Sequence, residues 1–110
     1  MHNHTRGHLI SEGAEVCDRF SSRLLGLAGR SDVGDGVIIE PCNGIHTCFM
    51  LAPIDAAFLD ADDRVCALYP GLRPWRFTRL VGGARRVVEV AAGRLGPTAV
   101  GDRIECSPCA

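Results

Sequence analysis

Between Ile54 and Asp60 the chain reads IDAAFLD, a run apolar enough to be a buried β-strand. Pro53 leads into it, and a fixed φ with no N–H to donate suits the first position of a strand. The run closes a longer stretch, Ile45 to Asp60, around which the rest of the chain is organised. The first half of that stretch carries polar residues unexpected in a core. His46, Thr47 and Cys48 sit among Ile45, Phe49 and Met50, and Asp55 and Asp60 interrupt or close the apolar run.

At 110 residues the chain fits one domain spanning 1–110, long enough to bury a core without metals or disulfides. Hydrophobic residues make up 46% and charged residues 23%, an ordinary globular balance. A net charge of −1 gives no overall basic field, so nucleic acid is not expected as a partner. No run of apolar residues is long enough to span a membrane, and the opening MHNHTRGHLISEGAEV lacks the pattern of a secretory signal. A cytoplasmic location is the expectation, which makes the cysteines thiols or metal ligands in preference to a disulfide framework.

Residues 1–7, with His2 and His4, read as a flexible terminal tail. Short strands are predicted at His8–Ile10 and Ala14–Cys17. Phe20, Leu24 and Leu27 at helical spacing, with Asp18 or Ser21 as N-cap and Gly29 at the end, predict a helix over Arg19–Ala28. Val37–Ile39 is a β-branched strand. The turn Ala61–Arg64 joins the central strand to a return strand, Val65–Tyr69, in an antiparallel hairpin. Pro70–Arg76 reads as a loop in which Trp75 covers one end of the core or faces a ligand. Further strands are predicted at Arg86–Val90 and Arg103–Cys106. The pattern implies a mainly β (α+β) fold, a compact antiparallel barrel-like or sandwich-like domain with one helix from the N-terminal half packed on it.

Four blocks carry a family likeness: Arg23 to Arg30 (RLLGLAGR), the central stretch, Val87 to Gly93 (VVEVAAG), and Gly101 to Ile104 (GDRI). Together with Pro53-Ile54-Asp55 followed by Phe58-Leu59-Asp60, they make the chain resemble domain of unknown function 192, an uncharacterised bacterial and archaeal family. The likeness covers roughly Val16 to Cys106 and implies a β-rich, barrel-like domain with one helix. It implies no reaction, the family having none assigned. Many members carry an aromatic pair and then Met-Lys-Asn-Thr before the proline. This chain has Ile45-His46-Thr47-Cys48-Phe49-Met50 there, similar to a histidine-bearing branch, with Leu51 where that branch often has a basic residue.

Four constellations carry chemistry. His46 and Thr47 with Asp55 and Asp60 form a candidate polar pocket, since a carboxylate beside an imidazole fixes its tautomer and raises its basicity. The competing role for such an aspartate is to accept backbone N–H bonds and fix a turn. Cys42, His46 and Cys48, with Cys106 and Cys109, contain enough donors for a tetrahedral zinc site but lack paired short spacings, so no cofactor is expected and zinc is the lesser alternative. Cys106 and Cys109 also form a Cys-x-x-Cys pair, which has no room after it for the activating helix of a redox centre. Arg23 and Arg30 share a helix face that could meet an anion, against the default of a solvated face.

The reading favoured by these residues is a non-enzymatic module binding a small ligand or acting as an accessory protein. Its candidate contacts are His46, Thr47, Asp55, Asp60, Arg23, Arg30 and Trp75. One alternative is an enzyme using His46 and Asp55 as an acid–base pair. Another is a protein-partner module, which would show an exposed apolar patch in place of a concave pocket.

Overall fold

An apolar strand is stable only with strands on either side and covers on both faces, and the chain supplies both around Ile54–Leu59. The computed structural model describes residues 1–10, 15–18, 36–40, 44–45 and 52–105, with the backbone alone at 15–18 and 40. Its strands are β1 (His2–Asn3), β2 (His8–Leu9), β3 (Glu15–Asp18), β4 (Val37–Glu40), β5 (Ile54–Leu59), β6 (Val65–Leu72), β7 (Arg86–Ala91) and β8 (Ile104–Glu105). Five form one sheet in the order β3-β4-β7-β5-β6, and three form a small sheet in the order β2-β1-β8.

β5 lies between β7 and β6, antiparallel to both, and all six of its residues are buried. Alternation divides the core between the two faces of the large sheet. Ile54, Ala56 and Phe58 join Val37, Ile39 and Val87 on one face. Ala57 and Leu59 join Ile38, Val88 and Val90 on the other, where Met1, Ile10 and Ile104 of the small-sheet region cover them. Truncating Phe58, which is fully buried, would cost about 3–5 kcal/mol in lost burial and residual cavity.

The hairpin turn follows from aspartate chemistry. The Asp60 carboxylate accepts the N–H groups of Asp62 at 2.8 Å and Arg64 at 3.1 Å, and Asp63 takes the left-handed conformation at φ +61°. β6 continues through Pro70 to Leu72, past the predicted loop boundary. Pro70 is tolerated because β6 ends the sheet, where a missing N–H breaks no ladder.

The chain is mainly β, mostly antiparallel and compact, with a Cα radius of gyration of 12.4 Å. It departs from expectation in three places. β3 and β4 run parallel, and the connection between them is long enough for the crossover such a pair needs. The predicted helix over Arg19–Ala28 falls in that connection and lies outside the described residues. The sheet also does not close into a barrel among the described residues. β3 and β6 remain its two edges, and the small sheet seals one face instead.

The third departure is at the start of the chain, where a frayed tail was expected and β1 is instead the middle strand of the small sheet. Period-2 patterning cannot reveal a two-residue strand. What holds it is polar: fully buried Asn3 donates to Thr98 Oγ1 at 3.0 Å and Asp102 Oδ2 at 3.1 Å, and its own oxygen accepts the Arg6 N–H at 3.1 Å. Asp102 Oδ2 also accepts from Ala99 N at 2.9 Å and Arg6 Nε at 2.5 Å. The Ala99 N–H holds the Asp102 carboxyl below its ordinary pKa against the opposing push of burial, and Asn3 and Arg6 add to the lowering.

Asn3→Ala should destabilise the fold by about 1–3 kcal/mol in urea unfolding, since it removes one of the three donors to Asp102 Oδ2 and the bonds that Asn3 makes to the Thr98 hydroxyl and the Arg6 N–H. Because the Asp102 pKa is lowered on folding, its contribution is complete above the unfolded value of about 3.9 and vanishes as pH falls through the lower folded value. Asp102→Asn should therefore melt lower than the parent at pH 6 and converge with it toward pH 2.5. Parallel melting curves across that range would contradict the assignment.

Candidate functional site

Of the predicted site residues, Asp55 is fixed most firmly. Its side chain is buried on the Ala57 and Leu59 face of β5, with both oxygens occupied. Oδ1 accepts Gly71 N–H at 2.8 Å, and Oδ2 accepts Gly93 N–H at 2.8 Å and Leu95 N–H at 3.2 Å. One carboxylate thus ties the far end of β6 to the turn that follows β7. Gly93 sits at φ +92°, where a side chain would be strained. This is the turn-fixing role weighed against catalysis for Asp55, and it faces away from the Ile45 core. Asp60 likewise serves its own hairpin.

His46, Thr47, Arg23 and Arg30 lie outside the described residues, as do Cys42, Cys48, Cys106 and Cys109. Among the described residues no cluster of three or more His, Cys, Asp or Glu side chains could hold a metal. Cys66 is a free thiol that donates to the Phe58 carbonyl at 3.3 Å. Burial first, and then repulsion from Asp60, push its pKa up, so it stays protonated. No helix among the described residues is long and apolar enough to cross a membrane.

Two features go beyond the sequence reading, although Trp75 was already a candidate contact in it. The first is Glu89, 1% exposed at the middle of β7. Its ladder partners are Val37 on β4 and Ala56 on β5, so it stands on the same sheet face as Val87 and Phe58. A carboxylate at that depth needs a charge or hydrogen-bond partner, or it gives up its charge. Ile45 is buried against the same face, held by its N–H to Thr78 Oγ1 at 3.0 Å and by its carbonyl accepting Thr78 N–H at 3.0 Å. The signal was legible: a glutamate inside VVEVA breaks an apolar strand.

The second is the segment after β6. Trp75 is 56% exposed, Phe77 75% and Leu80 79%, with exposed Arg73, Arg76 and Arg79 interleaved. Trp75 does not seal the core as packing would require. It holds φ +62°, an uncommon and costly conformation for so bulky a residue. The charge distribution is as uneven as the exposure. Arg64, Arg73, Arg76, Arg79, Arg85 and Arg86 are six of the chain's twelve basic residues, and none of its 13 acidic residues falls between Asp63 and Glu89. A whole-chain net charge of −1 conceals this.

Asp55→Asn keeps the shape but turns an N–H against one of the N–H donors. It should cost about 2–3 kcal/mol in urea unfolding and speed amide exchange at Gly71, Gly93 and Leu95. A loss below about 0.5 kcal/mol would mean that the three bonds do not set the turn.

With this geometry in place, comparison with known proteins gives a consistent picture. The chain is 32% identical to a UPF0127 protein of Thermococcus sibiricus, across 94% of this chain and 71% of that one. Two solved structures share the fold. A protein of unknown function from Novosphingobium aromaticivorans superposes with a TM-score of 0.69 at 24% identity, covering 84% of this chain and 73% of that chain. A Sinorhizobium meliloti protein carrying a provisional label of transcription regulator gives 0.67 at 22%, covering 84% and 79%. The model of one family matches residues 1–106, and the chain belongs to that family, DUF192, described as an uncharacterized ACR.

Proposed function

We propose that this protein is a non-catalytic binding module whose contact surface is the arginine-rich segment Arg73–Arg85, and that its partner is acidic. The observation that carries this reading is the exposure of Trp75, Phe77 and Leu80 within six residues, set among Arg73, Arg76 and Arg79. Isolated exposed apolar residues such as Leu9 and Val100 are ordinary on a protein surface, whereas a rimmed group marks an interaction site. Tryptophan and arginine are also the residues that most often anchor interfaces, combining large apolar area with planar hydrogen bonding.

Glu89 favours a second reading, a small-ligand site on the Ile45 face of the sheet. His46 and Thr47 directly follow anchored Ile45 in the chain, and Glu89 supplies a buried carboxylate on that face. Arg23 and Arg30 stay candidate anion contacts in this version, while Asp55 and Asp60 are scaffold. His46→Ala would then remove any ligand-induced rise in melting temperature while leaving the unliganded protein's melting temperature nearly unchanged.

Trp75 is the only tryptophan, so its fluorescence reports directly on the proposed surface. Titration with a glutamate-rich peptide should shift its emission to the blue, and raising NaCl from 0.05 to 0.5 M should reverse the shift. Trp75→Gly, which relieves the positive φ, should leave stability within about 1 kcal/mol of the parent and weaken binding at least tenfold, read by calorimetry. An emission spectrum unmoved by any acidic probe would overturn the proposal.

A further inference from the structure

Among the described residues, the strand leading into the arginine segment is itself incompletely paired. β6 is an edge of the large sheet and, at eight residues, the longest described strand. Among the described residues its outer side is occupied only at the start. There Val65 donates to the Asp102 carbonyl at 2.8 Å and accepts from Gly101 N–H at 2.8 Å, and Arg64 bridges to Arg103. Beyond Val65, no strand among the described residues pairs with this edge. Cys66, Ala67, Leu68 and Tyr69 are all half-buried, as expected where one flank of a strand is open.

We infer that an extended, acidic polypeptide segment adds to β6 as a further strand over Cys66–Tyr69 and sets its carboxylates against the arginines that follow. This deepens the binding proposed above and rests on it. Backbone pairing along an exposed edge supplies affinity, and side-chain contacts at its end supply selectivity. At about 3.3 Å per residue, a segment of roughly eight residues reaches from Cys66 to the Arg73–Arg76 region. Pro70 offers no N–H, which confines the ladder to the residues before it and leaves recognition beyond it to Trp75, Phe77 and the guanidinium groups. Charge selects the occupant. The arginines that follow Leu72 attract carboxylates carried on the added strand.

The test uses the full chain and three probes: a ten-residue peptide with alternating valine and threonine followed by glutamates, the same peptide N-methylated at alternate residues in each of the two phases, and a ten-nucleotide oligothymidylate. The proposal predicts that the plain peptide shifts Trp75 emission and slows amide exchange within Cys66–Tyr69 at least tenfold. One N-methylated phase should bind at least tenfold more weakly than the other. Binding without amide protection, and with both phases equal, would overturn strand addition while leaving an acidic partner in place. Tighter binding of oligothymidylate than of peptide would overturn the polypeptide assignment. A rise in mass of the protein alone on sedimentation, with slowed amide exchange within Cys66–Tyr69 in the absence of peptide, would give the edge to a second copy and overturn the acidic-segment assignment. No response to any acidic probe would overturn both the strand addition and the surface it rests on.

Discussion

The burial of β5 on both faces is the constraint from which the rest of the structure follows. A strand whose six residues are all inside cannot sit at an edge, so the chain must deliver β6 on one side and β7 on the other. Each face must then be covered. One receives the small sheet, with Met1, Ile10 and Ile104 pressed against Leu59 and Val88. The other, which itself carries the buried Glu89 of β7, receives Ile45. Asp55 is the exception inside the strand, and it is accommodated because three backbone N–H groups satisfy its two oxygens.

Polar anchoring recurs where apolar burial is too thin to hold a connection. Asp55 secures the turn after β7, Asp60 the β5–β6 hairpin, and Asp102 with Asn3 the start of the chain. Asp60 gathers N–H donors of its own turn, whereas Asp55 and Asp102 gather donors from elements distant in sequence. The family blocks PID, FLD and GDR thus contain scaffold aspartates. The proposed contact surface lies elsewhere, on side chains that are exposed.

The apolar signals were the legible part of the sequence. IDAAFLD, VII and RVVEV read as strands because β-branched and apolar runs have one stable use in a small domain, and the turn at Ala61–Arg64 follows from its aspartates. The β1 strand was hidden because a two-residue strand has no period, and its reason for existing is Asn3, whose partners Thr98 and Asp102 lie at the opposite end of the chain. Asp55 was legible as polar within apolar surroundings, but its partners are backbone groups that only the tertiary fold brings near. Averaging charge over the whole chain concealed a block of six arginines with no acidic residue among them, while Trp75 was legible as a loop residue and its exposure was not.

The surface reading stands on charge as much as on exposed apolar area, so charge reversal tests it most directly. The binding constants of Arg73→Glu/Arg76→Glu/Arg79→Glu should be measured by calorimetry against a glutamate-rich peptide and its lysine-rich counterpart, with melting curves confirming that the variant folds. The parent should prefer the acidic peptide, and the variant should reverse that preference. A variant that folds and keeps its affinity for the acidic peptide within twofold would contradict the assignment of this segment as the site of contact.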